Sequence, residues 1–186
     1  GYDAPVLDTV KYTVWGPVVE DDGKTGMALR WIAHEAPNPK EAAFFLLLNQ
    51  VKGYEDFDKL CPLYTAPAQN FVFASREGDI ALHVNGKLPV KGASEGRFVQ
   101  SGNTAENNWK GFIPYAQLPQ MHQPRRNFVA SANQRSTGPD YPYDYFGFFD
   151  HFRGRYLNRR LEQMQQITLD SMARLQTDNY SLFAEE

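Results

Sequence analysis

An α+β fold is what this sequence predicts, and three observations carry the prediction. Runs of β-branched and aromatic residues bounded by Gly, Pro and Asp turns occupy the first half of the chain. Helix-start signals stand at Asn38-Pro39 and at Thr168. From His151 onwards the pattern is helical, so the C-terminal part is expected to contain helices only. The resulting order is strands, helices, hairpin, irregular segment, helices, which segregates sheet from helix. No internal repeat or low-complexity linker divides the 186 residues, a length that suits one domain or one piece of a larger one. With 42% apolar and 14% aromatic residues, the chain has the material for a packed core.

The elements follow in order. Thr9 to Val14 reads as a strand, because stiff β-branched side chains favour a pleated backbone. Gly16-Pro17 is expected to stop it, with Glu20-Asp21-Asp22-Gly23 forming a turn. Met27 to Ala33 resumes as a second strand antiparallel to the first. Asn38 can cap a helix, Pro39 suits its first turn because its missing N–H is not needed there, and Glu41 falls at the capping-box position. The apolar run that follows makes a buried helix ending near Gly53. Tyr54 to Leu60 is a second, short helix with Tyr54, Phe57 and Leu60 on one face. Ala68 to Ala74 and Ile80 to Val84 flank the turn Arg76-Glu77-Gly78-Asp79 and form the clearest hairpin.

Residues 86–126 hold Gly and Pro at many points with few apolar runs. So long an irregular stretch is unusual inside a compact domain and suggests a segment wrapping over another part of a larger protein. Phe128 to Ala132 is expected as a short strand and residues 138–149 as a proline-broken aromatic loop. His151 to Gln166 is a basic amphipathic helix. Thr168 caps the last helix, Leu169 to about Gln176, with Asp170 well placed near its positive end.

Composition and spacing exclude several functions. The 19 Lys and Arg against 22 Asp and Glu give a formal charge of −3, which offers nucleic acid no global electrostatic footprint. The longest apolar run, Ala42 to Leu48, is far short of the ~20 residues a membrane helix needs. The one cysteine, Cys61, can form neither an internal disulfide nor a zinc cluster, and between Leu60 and Pro62 it suits an inert packed thiol. His34, His83, His122 and His151 lack the pair spacing of a zinc helix. Glu20, Asp21 and Asp22 fit a solvated turn, with no EF-hand pattern after them. No Gly-x-Ser-x-Gly elbow surrounds Ser75, Ser101 or Ser131. The arginines from Arg153 to Arg160 fit a helix paired within its own protein, and the aromatics of 141–149 fit packing better than carbohydrate stacking. Asn70 is more informative. An Asn on a rigid strand can offer its amide to a developing oxyanion, a contribution of ~2.7–4 kcal/mol in acyl transfer. It can also be a strand-end amide satisfied by a neighbouring loop, and the residues alone favour that second reading.

The run Pro67-Ala68-Gln69-Asn70-Phe71-Val72-Phe73-Ala74, followed by Gly78-Asp79-Ile80, resembles the hallmark of the penicillin amidase (penicillin acylase) family. So do Gly16-Pro17-Val18-Val19, Ala28-Leu29-Arg30-Trp31, Trp109-Lys110-Gly111-Phe112-Ile113-Pro114 and Ala132-Asn133-Gln134. Tyr141-Pro142, Arg153, Arg155, Arg159-Arg160-Leu161, Thr168 and Leu175-Gln176-Thr177-Asp178 complete the pattern. These blocks occur in family order over nearly the whole chain.

The resemblance implies an N-terminal-nucleophile (Ntn) hydrolase with a four-layered αββα sandwich, of which residues 1–186 would be a single fragment of the β chain. Such enzymes are precursors that cut themselves, leaving a serine at the new N-terminus of the β chain. That serine attacks an amide carbonyl with its own α-amino group as base, a weak hydroxyl activated by an adjacent base. By the same resemblance Asn70 helps to form the oxyanion hole. The parent would cleave N-acylated small molecules of the penicillin, cephalosporin or acyl-homoserine-lactone type through a serine acyl-enzyme, in the periplasm or outside the cell. Its partners would be the remainder of its own precursor (the nucleophile-bearing segment and the α chain) and the N-acyl substrate, with no nucleic acid and no membrane. No cofactor is expected; the family allows a structural calcium, but no ligands for it are assignable in this sequence.

The chain also departs from the family pattern. The family's serine lies upstream of the Gly16-Pro17 block, and Gly1 is not a nucleophile, so the fragment itself is expected to be inactive. Trp15 stands where the family usually carries His, and Lys91 where it commonly carries Arg. Lysine keeps the charge but loses the planar fork that grips a carboxylate at two points. Lys91 is therefore read either as a substrate-binding residue or as a solvated lysine. A reading from another class is a noncatalytic binding module with aromatics 141–149 as its ligand face. The family reading expects exposed apolar surface, and Asn70 at a strand end with its amide turned away from the chain's own core.

Overall fold

A computed structural model describes residues 4–35, 38–92, 96–144, 147 and 149–186. It holds two three-stranded antiparallel sheets and a set of short helices, in keeping with the α+β expectation.

The first sheet consists of β1 (Tyr12–Thr13), β2 (Gly16–Asp21) and β3 (Gly26–Ala28). Gly16-Pro17 starts a strand instead of stopping one. Gly16 lies at φ +131°, and a Cβ there would come within 2.2 Å of the Leu29 carbonyl oxygen, so glycine lets β2 leave the β1 turn and pass close to that backbone. The strand expected over Thr9–Val14 is correspondingly reduced to two residues. Glu20 and Asp21 belong to β2, and the turn after them is closed by the Asp22 carboxylate, which accepts from Lys24 N at 2.8 Å and Thr25 N at 2.6 Å. The expected second strand ends at Ala28, and Ile32–His34 forms a 3₁₀ turn in which His34 N donates to the Trp31 carbonyl.

Helix α1 spans Glu41–Leu48 and α2 spans Tyr54–Leu60. Asn38 forms the turn ahead of α1, its side chain accepting from Lys40 N at 3.0 Å and its carbonyl from Glu41 N at 2.9 Å, but the cap position itself is Lys40, which makes no side-chain cap bond. The helix stops short of Gly53, with Asn49 donating its side-chain amide back to the Phe45 carbonyl at 2.8 Å. Glu41 closes no capping box; its carboxylate is engaged elsewhere, as described below.

The second sheet has the order β4 (Gln69–Ala74), β5 (Ile80–Asn85), β6 (Gln120–His122). The expected hairpin forms, in the register Asn70↔Val84, Phe71↔His83, Val72↔Leu82. Strand β6 lies inside the segment read as irregular. Phe128 to Ala132, expected as a strand, has no strand pairing. Side chains alternate across the sheet. Phe71, Phe73, Ala81 and His83 face α1 and α2: the Phe71 ring lies 5.4 Å from Phe44, and Phe73 lies 5.0 Å from Phe57. Phe44, Phe57, Cys61, Tyr64, Ala81 and His83 are buried there, each large apolar side chain contributing roughly 1.5–3 kcal/mol. The opposite face carries Asn70, Val72, Leu82 and Met121, and it is the more open one, with Val72 57% exposed.

The C-terminal part is helical: α3 (His151–Gln163), α4 (Leu169–Gln176) and a short α5 (Leu182–Glu185). Asp150 caps α3 by accepting from Phe152 N. The helix ends at Gln163, before the expected Gln166. Thr168 caps α4 in a capping box completed by Ser171. The basic face of α3 is paired within the chain, Arg155 with Glu186 at 2.5 Å and Arg159 with Glu185 at 3.2 Å. Apolar side chains stand exposed across the molecule, among them Leu46, Val72, Leu169 and Phe183. Among the described residues no helix is long and apolar enough to cross a membrane.

Candidate active-site layer

The entry into β4 is fixed before Asn70 is reached. Glu41 Oε1 accepts three hydrogen bonds, from Thr65 N at 2.7 Å, Thr65 Oγ1 at 2.8 Å and Ala66 N at 2.8 Å. Desolvation works to raise the Glu41 pKa, but these donors, with Lys87 nearby, outweigh it and hold the carboxyl below its ordinary value. On the other side Lys87 N donates to the Thr65 carbonyl at 2.7 Å. Gly86, at φ +127°, lets β5 leave the sheet against the same strap, since a Cβ there would come within 2.8 Å of Ala68 Cα. Asn85 is buried and donates to the Cys61 carbonyl at 2.8 Å, which ties the end of β5 to the end of α2.

Asn70 is the second residue of β4, opposite Val84 and half-buried. By alternation it lies on the sheet face away from α1 and α2. Its Nδ2 donates to Ser131 Oγ at 2.6 Å. Asn70 thus lies near a strand end, turned from the helical core, with its amide bonded to a loop serine, a placement that fits both readings of the residue. An amide nitrogen carries two N–H groups, so the Ser131 bond leaves a second donor on the same atom.

Lys91 sits in a different neighbourhood. It follows a short ladder in which Val90 N donates to the Gly111 carbonyl and Lys110 N to the Val90 carbonyl, both at 2.9 Å. Its Nζ lies 5.8 Å from the centre of the Trp109 ring. Arg30 approaches the same ring at 4.7 Å and pairs with Glu35 at 3.1 Å. Lys91 is thus half-buried beside an aromatic face, not freely solvated, and its contacts do not join it to Asn70. Trp15 donates its indole N–H to the Gly102 carbonyl at 3.0 Å.

Two further groups are polar and buried. His83 lies between two phenols, with Tyr115 Oη 2.9 Å from Nδ1 and Tyr54 Oη 3.1 Å from Nε2. Tyr115 donates to Asp58 at 2.7 Å, so its oxygen accepts from His83 Nδ1–H, and His83 Nε2 accepts from Tyr54. Burial lowers the His83 pKa, which keeps the ring neutral in this chain of bonds. Desolvation pushes the Cys61 thiol up to about 11, an unreactive state in agreement with its apolar flanks. These groups line the helix side of the sheet, opposite Asn70. The sequence marked Cys61 by its apolar flanks, but for the His83 bonds it offered only an isolated histidine.

In the aromatic stretch, the Tyr141 and Tyr143 hydroxyls are both spent on Gln117, and the two rings meet edge to face at 5.6 Å. Tyr145, Phe146 and Phe148 lie outside the described residues. Among those described, no cluster of three or more His, Cys, Asp or Glu side chains is gathered.

Two small antiparallel sheets, with helices over one face of the second, make this an α+β chain. The chain belongs to the penicillin amidase family, whose model matches residues 1–186. It is 26% identical over 168 residues to the penicillin G acylase of Escherichia coli, a match covering 87% of this chain and 19% of that protein. It is also 26% identical over 114 residues to the penicillin acylase 2 proenzyme of Pseudomonas sp. (strain SE83), covering 60% of this chain and 15% of that one. The structure of a thermostable penicillin G acylase from Alcaligenes faecalis matches with a TM-score of 0.75 at 16% identity, over 90% of this chain and 30% of that chain. The mixed α/β fold accordingly matches part of a penicillin acylase structure, which is consistent with the partial Ntn-hydrolase fold expected from the sequence. The chain spans less than a fifth of the length of either sequence relative.

Proposed function

We propose that this chain is one part of an amidohydrolase that works through a serine acyl-enzyme, and that Asn70 donates a hydrogen bond to the oxyanion of the tetrahedral intermediate. The observation that carries the reading is the half-buried Asn70 amide at the start of β4, on the sheet face away from the helices, within a chain matched by the family over its whole length. The nucleophilic serine and its α-amino base belong to another segment of the same precursor. As the serine attacks the amide carbonyl, charge builds on the oxygen, and a donor already fixed in place stabilises it without reorganisation. Substrates are N-acylated small molecules of the penicillin, cephalosporin or acyl-homoserine-lactone type. Lys91 is the proposed contact for an acidic substrate, as a point charge where a fork would grip more specifically. The enzyme works in the periplasm or outside the cell. The 186 residues by themselves are inactive, because oxyanion stabilisation without an attacker gives little rate.

The test uses the complete enzyme containing this chain. Asn70→Ala is expected to lower kcat by ~10²–10³ with KM much less affected, the mark of an interaction made chiefly in the transition state. Unchanged kcat overturns the assignment. Lys91→Ala is expected to raise KM for acidic substrates only. Profiling penicillins, cephalosporins and acyl-homoserine lactones identifies the substrate class. Saturable turnover of a chromogenic N-phenylacetyl amide by the purified 186-residue chain would refute its inactivity.

A further inference from the structure

We infer that Tyr54 and His83 form an acid-sensitive latch, which holds the start of α2 on the second sheet at neutral pH and releases it when His83 takes up a proton. The latch lies on the sheet face opposite Asn70 and is independent of the role proposed for that residue.

Helix α2 needs an anchor at this end. Gly53 precedes it with an extended backbone and supplies no side chain to cap it. Asp56 reaches back only to Lys52 N, at 3.2 Å. The first helical residue, Tyr54, is instead fixed by the sheet on two sides. Its hydroxyl lies 3.1 Å from His83 Nε2 on β5, and its ring is stacked on His122 of β6 at 3.5 Å and 6°. Asp79 holds His122 in turn, at 3.2 Å. One turn along the helix, the Phe57 ring continues the contact, 5.2 Å from His83 and 5.0 Å from Phe73.

The hydroxyl bond has a fixed polarity. His83 is buried, and its Nδ1–H is committed to Tyr115, which passes its own proton toward Asp58. Nε2 therefore accepts, and Tyr54 is its donor. A proton on Nε2 turns that acceptor into a second donor, facing the O–H that bonds to it, and puts a charge beside the Phe57 ring. The groups around His83 decide which state wins. Asp58, with its carboxylate 3.9 Å from Nδ1, favours the proton, while His122 opposes it. Tyr54, Tyr115 and the Cys61 thiol are uncharged at neutral pH, since burial raises the pKa of each. Strand β4 contributes only Phe71 and Phe73 to this face. Burial outweighs Asp58, and the His83 pKa is lowered. The closed latch thus binds the proton less readily than an opened one. Acid favours opening below about pH 6.5, where an exposed histidine titrates.

Amide hydrogen exchange in the complete enzyme, followed by mass spectrometry and corrected for the intrinsic pH dependence of exchange, tests the latch. Protection of peptides spanning residues 53–60 should be constant above about pH 7 and fall by up to about tenfold for each pH unit below about 6.5. Helix α4, capped by its own Thr168, should keep its protection over the same range. His83→Gln keeps an acceptor for Tyr54 and a donor for Tyr115 but does not titrate, so it should abolish the fall. Tyr54→Phe removes the hydroxyl and keeps the ring, and should lower protection of the same peptides roughly tenfold at about pH 7.5. His122→Gln should leave the acid response in place, because the proton belongs to His83. No fall in the wild type, an unaltered fall in His83→Gln, or its disappearance in His122→Gln overturns the inference. Unchanged protection in Tyr54→Phe at about pH 7.5 does the same. If His83→Gln does not fold, the wild-type curve with the Tyr54→Phe and His122→Gln variants still decides between these outcomes.

Discussion

Replacing Glu41 by Ala removes a single acceptor oxygen on which three donors converge within 2.8 Å. Thr65 is 8% exposed, so its N–H cannot simply turn to bulk water. A buried donor left without a partner costs about 1–3 kcal/mol. A cavity of about 180 Å³ beside Glu41, Thr65 and Lys87 is large enough for water to replace part of what is lost. The expected destabilisation is therefore about 2–4 kcal/mol, below the sum of three full penalties. Glu41→Gln keeps an acceptor and loses the charge, so it should fall between wild type and Glu41→Ala. Because the folded-state pKa of Glu41 is lowered, its contribution is complete above the ordinary glutamate value and is lost as pH falls through the folded one. Denaturation in urea measures all three, as a shift in midpoint at constant slope. A loss under about 0.5 kcal/mol for Glu41→Ala, or Gln and Ala variants of equal stability, would show that this oxygen does not hold the strap leading to β4.

Two other groups give measurable expectations. His83 is neutral because of burial, against the opposing pull of Asp58 and with His122 adding to the effect, while Tyr54 and Tyr115 occupy its two nitrogens. Its pKa is lowered in the fold, so the unfolded chain takes up a proton first, and stability should be complete above about pH 6.5 and decline below it. His83→Gln should flatten that decline in urea denaturation, and an unaltered decline refutes the argument. Cys61, fully buried with its thiol pKa raised to about 11, should resist iodoacetamide in the native state and react once unfolded. Equal labelling rates in both states would contradict the packing.

Much of the fold was legible because it rests on local signals. The 68–84 hairpin carries its own alternation and turn, α2 its apolar face, and α4 its Thr168 cap. The misreadings have local causes too. Gly16-Pro17 resembles a strand terminator, but the positive φ of Gly16 serves a close backbone passage that depends on Leu29. Strand β6 has three residues, too few for a period, and it exists because β5 offers it an edge. Glu41 stands where a capping box would use it, yet Thr65 and Ala66, 24 and 25 residues on, supply better donors. Local propensity loses in each case to a partner distant in sequence.

The candidate site divides along the same line. Asn70 could be singled out because strand chemistry and family motif coincide in one short stretch, and alternation then fixed the face it occupies. Ser131 could not be singled out as its partner, since a serine without a nucleophile elbow has no sequence signature for accepting a hydrogen bond. Lys91 was legible as a charge, but its position beside Trp109, a ring that Arg30 also approaches, depends on loops that no period describes. Helix α3 completes the contrast. Its amphipathic pattern predicts a helix, while Gly154 within it reads as a weakness in helix propensity. The structure gives that glycine a reason, because the missing Cβ is the space in which Gln134 braces the Ser131 loop. Glycine here gives up helix propensity where another element approaches closely, and that element carries Ser131, the hydrogen-bond partner of the Asn70 amide.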